Sequence, residues 1–138
     1  MTENELVFRP PIHSDLPAIA ALLTEEGFGD GNAERLCTAF DRLQTFSLVA
    51  LRANRLAGVL LATFNGWHVF ASHLVVAPSA RGEGIGKLLI RTLLRQAATA
   101  SAKGLIVDSR LSAVGFFQKL DFRLPGAVFL IKDVQLDQ

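Results

Sequence analysis

Apolar and polar positions alternate with two different periods along this chain. "ELVFRP" is a short strand stopped by Pro10 and Pro11. Leu16, Ile19, Ala20 and Leu23 then recur at helical spacing, with Ser14 placed to cap them. After "GFGDG" at 27–31, the residues Ala33, Leu36, Cys37, Phe40 and Leu43 predict a second helix, with Cys37 a small buried member of its apolar face. "FSLVALR", "RLAGVLLATF" and "WHVFASHLVVA" predict three antiparallel strands, turning at Ala53-Asn54 and Asn65-Gly66. Pro78 ends the third. A helix follows from about Gly84 to Ala102, with Ile85, Leu89 and Leu93 on one stripe and Gly104 as its C′ residue. "LIVDS" has the length and composition of a buried strand reached by a parallel crossover. "LSAVGFFQKL" reads as a short helix and "AVFLIKDVQ" as a closing strand.

The order β, α, α, β, β, β, α, β, α, β predicts an α/β fold, a mixed sheet with helices on both faces. With no repeat or linker in its 138 residues, the chain reads as a single domain, 1–138. Half its residues are apolar and a fifth are charged, which excludes a disordered chain. A net charge of +1 argues against a general nucleic-acid binder. The most apolar stretch, 46–64, is broken by Arg52 and Arg55 before reaching the ~20 residues of a membrane span, and "MTENELVFRP" has no apolar signal-peptide core. The lone Cys37 asks for no oxidising compartment, so the expected location is cytoplasmic. His, Cys and carboxylates show no metal-ligand spacing, and no metal is expected.

Candidate chemistry concentrates in "SARGEGIGK", 79–87. A loop that leaves a strand and opens a helix presents backbone N–H groups that no carbonyl accepts, and the helix dipole adds positive charge there. Gly82, Gly84 and Gly86 would let an anion reach those groups without meeting a Cβ, so the loop reads as a phosphate or pyrophosphate site. A dinucleotide fingerprint fails, because Lys87 or Leu89 stands where its last glycine is required. A Walker A loop fails at Arg81 and Leu88.

The pattern that fits is R-x-x-G-x-G, running from Arg81 to Gly86. Here the chain resembles the GNAT superfamily of N-acetyltransferases, whose motif A is Q/R-x-x-G-x-G/A between the fourth strand and third helix. "HLVVAPSARGEGIGKLLIRTLL" is similar to that unit throughout, and "SAVGFFQKLDF" to the family's A-x-x-F-Y-x-x-x-G-F. The resemblance covers the order of elements from end to end. It implies six to seven strands, about four helices and a splayed parallel strand pair. It also implies acetyl-CoA, or another short acyl-CoA, as donor. The pyrophosphate would lie on Arg81, Gly82, Glu83, Gly84, Ile85, Gly86 and Lys87, and the pantetheine arm along Leu74, Val75 and Val76. Phe117 takes the place of the family's tyrosine beside the thiolate, and the chain contains no tyrosine. The implied partners are acetyl-CoA and an amine, not nucleic acid or membrane. The apolar run "AVFLIK" offers an edge for a homodimer.

Acyl transfer requires a neutral amine, whereas a free lysine-type amine has a pKa of ~10.4. The two-residue strand period puts Ser72, Phe70 and His68 on one face with Leu74 and Val76. Phe70 stands where some family members carry a glutamate base. The candidate bases are therefore His68, acting through water, or His73, if a bulge near residue 74 turns it inward. Ser109 is a candidate proton donor to the thiolate. Glu25, Glu26 and Asp30, with Phe28, crowd the segment where the family admits its acceptor. The expected activity is N-acetyl transfer to a primary amine by direct attack in a ternary complex. Phe70 and Phe117 motivate the alternative of a catalytically weak acyl-CoA-binding sensor.

Overall fold

The computed structural model describes residues 5–29 and 32–134. They fall into two compact units, 1–108 and 109–138. The first holds five strands: β1 (Leu6–Arg9), β2 (Leu48–Arg52), β3 (Arg55–Phe64), β4 (His68–Val76) and β5 (Gly104–Val107). They lie side by side in chain order, antiparallel from β1 to β4, with β5 parallel to β4. The same unit carries α1 (Leu16–Glu25), α2 (Ala33–Leu43) and α3 (Ile85–Thr99). The second holds a 3-10 turn, Leu111–Ala113, that leads into α4 (Val114–Gln118).

Both expected hairpin turns form by local chemistry. Ala53 and Asn54 adopt φ of 50° and 62°, as a turn between right-twisted strands requires. Gly66 takes φ of 96°, and the Asn65 side chain accepts from the N–H groups of Trp67 and His68, each at 2.9 Å.

The sheet is covered on both faces. Leu16, Ile19, Leu23, Leu36 and Phe40 of α1 and α2 close a core with Val49, Leu51, Val59, Leu61 and Val75. On the opposite face α3 approaches so closely at Gly58 that a Cβ there would meet the Val75 carbonyl at 3.2 Å and Ile85 at 3.3 Å. Ser47, fully buried, extends the β2–β3 pairing by one step. Its hydroxyl accepts from the Ala62 N–H at 2.9 Å and donates to the Ala62 carbonyl at 3.3 Å.

Five expectations are corrected. The described residues contain five strands rather than six or seven. Residues 127–134 of the expected closing strand form none, and Val128, Leu130 and Ile131 are 80 % or more exposed; Gln135 lies outside the described residues. A β-rich sequence becomes a strand only against a neighbouring edge. Gly104 is not a helix cap: α3 ends at Thr99, Ser101 takes the left-handed turn at φ of 59°, and Gly104 begins β5 beside the His68 ring. Cys37 is exposed. Leu36, Phe40 and Leu43 define the stripe of α2 that meets the core, and at ~100° per residue Cys37 falls about 90° from its centre. Ser14, moreover, does not cap α1, whose N-cap is Asp15.

Candidate functional site

β5 is shorter than β4, and this creates an open edge. The parallel ladder pairs His68–Ala71 with Gly104–Val107, and its last rung is Asp108 N–H to Ala71 carbonyl at 3.1 Å. Beyond it, residues 72–76 of β4 extend without a β5 partner. On the other side, Ala77 N–H donates to Ala57 carbonyl at 2.8 Å, so alternation makes Val59–Val75 and Leu61–His73 the hydrogen-bonded pairs. The intervening Leu60–Leu74 and Gly58–Val76 pairs therefore turn the N–H and C=O of Leu74 and Val76 outward, onto the open edge.

β4 also carries a bulge, at Ser72. Leu61 opposes His73 and Ala62 opposes Ala71, leaving Ser72 unmatched. This corrects the simple two-residue parity. Leu74 and Val76 share the α3 face with Ala71, whereas His73 and Phe70 lie with Val75 on the α1–α2 face. His68 sits near the far end of β4, about 15 Å from His73 at strand rise.

The glycine loop follows β4. Gly82 and Gly84 hold φ of 83° and 80°, and a Cβ at either would meet nothing within 4 Å. Those glycines are required by backbone conformation, and the space above them is open. Gly86 lies within the first turn of α3. The first helical hydrogen bond runs from Leu88 to Gly84 at 3.1 Å, so the N–H groups of Ile85, Gly86 and Lys87 have no acceptor within the helix, and the N-cap Gly84 has no side chain to supply one. Glu83 pairs with Arg52 of β2 at 2.6 Å, and this hydrogen bond holds the exposed carboxyl below the usual carboxylate range. Lys87 is exposed.

The end of α1 comes to the same region. Gly27, at φ of 88°, donates to Thr24 carbonyl at 3.1 Å and Phe28 to Leu23 carbonyl at 2.8 Å, a Schellman closure. That turn seats Phe28 on the core and brings its ring edge-on to His73, centroids 5.2 Å apart. Glu26, the C-cap, would be unfavourable at the negative end of a helix. Its carboxylate instead pairs with Arg81, whose Nε also donates to the Val76 carbonyl at 3.3 Å. An expected acceptor residue and the expected pyrophosphate arginine are thus joined. Glu25 is exposed at the last turn of α1, and Asp30 lies outside the described residues.

In the second unit, Ser109 Oγ donates to the Arg110 carbonyl at 2.8 Å. Phe117 is buried and makes edge contacts with Phe116 and Phe122. Among the described residues, no three His, Cys, Asp or Glu side chains are placed to hold a metal ion, and no helix is long and apolar enough to cross a membrane. The sequence allowed a bulge near residue 74, and the structure has it at Ser72; the pairing of Glu83 with Arg52 and of Arg81 with Glu26 was not foreseen. No local signal marks either pairing.

In this chain a strand that extends past its parallel neighbour runs into a left-handed glycine turn and a helix N-terminus. The model of the acetyltransferase (GNAT) domain matches residues 24–134, and the chain belongs to that family. Human N-acetyltransferase 8B is 38 % identical over 60 residues, 41 % of this chain and 26 % of that protein, so the match spans about a quarter of the relative's length. Among solved structures, the ribosomal-protein-alanine N-acetyltransferase from Brucella melitensis biovar Abortus 2308 is 22 % identical, with 94 % of this chain and 100 % of that one covered at a TM-score of 0.77. AAC(6')-Iy in complex with the bisubstrate analogue CoA-S-monomethyl-acetylneamine is 20 % identical, covering 96 % and 100 % at 0.77. A transcriptional regulator from Bacillus halodurans C-125 is 17 % identical, covering 94 % and 100 % at 0.81. At these identities the likeness is one of fold, a mixed α/β GNAT architecture in which the described residues form a five-stranded sheet and four α-helices.

Proposed function

We propose that this protein is an acetyl-CoA-dependent N-acetyltransferase that transfers the acetyl group to a primary amine by direct attack in a ternary complex. The observation that carries the reading is the continuity of the open β4 edge with the Gly82–Lys87 turn. Outward amide groups of Leu74 and Val76 suit the amides of pantetheine, and the N–H groups of Ile85, Gly86 and Lys87 suit the pyrophosphate. Arg81 adds charge beside them. His73, next to Phe28 at the end of α1, is the favoured base over His68, and Glu25, Glu26 and Phe28 border the acceptor. The exposed single cysteine agrees with a reducing, cytoplasmic compartment. The exposed run Val128–Ile131 favours a homodimer, which sedimentation would test.

Calorimetry with acetyl-CoA and with acetyl-pantetheine, which lacks the phosphates, tests the donor site. Tight binding of the first and much weaker binding of the second is expected; no binding of either refutes the reading. A screen of amines by thiol release then tests transfer. A second reading, a sensor that binds acyl-CoA without efficient turnover, is favoured by Phe70 and Phe117 standing where the family's glutamate and tyrosine act. It predicts donor binding with thiol release no faster than hydrolysis for every amine.

A further inference from the structure

Glu83 is out of place on electrostatic grounds. It stands between Gly82 and Gly84 in the turn before α3, where a bare carboxylate would repel a phosphate. The carboxylate is not bare: Glu83 Oε1 accepts from Arg52 Nη2 at 2.6 Å, across 31 positions of the chain. Arg52 is the last residue of β2, and its backbone is fixed on both sides, opposite Leu6 of β1 and Arg55 of β3. The residues flanking Glu83 need such an anchor. Glycine loses more backbone freedom on ordering than any other residue, and a Cβ at Gly82 or Gly84 would meet nothing within 4 Å, so no packing on that side holds the turn. A side chain fastened to the sheet from between the two glycines restrains the backbone of both.

We propose that Arg52 and Glu83 are positioning residues: their pair ties the Gly82–Gly84 turn to β2 and keeps it in the left-handed form that presents the N–H groups of Ile85, Gly86 and Lys87 to the phosphates of an acyl-CoA. The ligand in this proposal rests on the acetyltransferase reading; the ordering of the turn does not. A turn already held in its binding form spares the ligand part of the cost of ordering it. The cation of the pair also offsets, at contact distance, the charge that Glu83 brings to the site. Both side chains are partly exposed, at 28 % and 40 %, so the tie is weakened by salt and contributes a small factor in affinity rather than a condition for binding.

The test is a double-mutant cycle on the full-length protein, read by acetyl-CoA calorimetry at low salt, with 15N relaxation of the Gly82 and Gly84 amides measured without ligand. Charge alone predicts opposite signs: Arg52→Gln would weaken binding, Glu83→Ala would strengthen it, and the double variant would lie near the original. The tie predicts one sign. Glu83→Ala and Arg52→Gln should each raise Kd about two- to five-fold, the scale of an exposed pair. The double variant should be no worse than either alone, and Arg52→Lys should retain the original affinity. In free Glu83→Ala the two glycine amides should gain ps–ns motion, with the urea midpoint little changed. An unchanged or lower Kd in Glu83→Ala overturns the proposal, as do additive losses in the double variant. Glycine amides as ordered in Glu83→Ala as in the original overturn it whether or not acetyl-CoA binds. Amides that loosen in Glu83→Ala, in a protein that binds no acetyl-CoA, refute the donor-site reading and the role toward phosphates with it, while the tie itself stands.

Discussion

Replacing Gly84 by alanine and by asparagine separates two reasons for a glycine in the loop. Gly84 holds φ of 80°, and a Cβ added there would meet nothing within 4 Å. In the free protein the only penalty for alanine is therefore the left-handed backbone, about 1–2 kcal/mol. For a chain of this length that corresponds to a fall in Tm of about 3–8 °C. Asparagine tolerates the left-handed region, so Gly84→Asn should recover most of the stability. It also places more atoms in the space above the α3 N-terminus, where the proposed pyrophosphate lies. Urea unfolding and acetyl-CoA calorimetry on the same preparations read the two effects independently. The expected outcome is a destabilised alanine variant, an asparagine variant near the original in stability, and weakened acetyl-CoA binding in both. Near-original stability and affinity in Gly84→Asn would show that no ligand approaches Gly84, and would refute the assignment of the loop. A loss well beyond 2 kcal/mol in Gly84→Ala would refute the strain argument.

Three further outcomes are expected from the rest of the fold. Ser47→Ala leaves both the N–H and the carbonyl of Ala62 without their buried partner, and urea titration should show a loss of about 2 kcal/mol. Arg9 holds the Asp15 carboxyl below its usual value through a two-pronged hydrogen bond at 2.7 and 3.0 Å. Its stabilisation is complete above the unfolded value of ~3.9 and is lost as pH falls through the lower folded value; Asp15→Asn should cost about 1 kcal/mol at pH 7, with the difference closing in acid, by chemical denaturation at each pH. Cys37 should react with Ellman's reagent in the native protein as fast as an exposed model thiol; protection until denaturant is added would contradict its outward placement.

Much of this protein is determined locally and is legible in its sequence. The helices follow from apolar spacing, the two hairpins from Ala53-Asn54 and Asn65-Gly66, and the loop before α3 from glycines at 82 and 84 that the backbone needs for φ above zero. Each depends on the conformational preference of a few adjacent residues. The tertiary structure decided what depends on register and on distant partners. The bulge at Ser72 reverses which β4 residues share a face, because strand parity is lost at one inserted residue, and composition does not reveal where that residue falls. The pairing of Glu26 with Arg81 joins segments 55 residues apart, and a charge pattern along the chain says nothing of such a meeting. Cys37 faces outward because its neighbours, not its own polarity, orient the helix. Residues 127–134 have the composition of a strand and no ladder among the described residues, since a strand is completed only by the edge that accepts it.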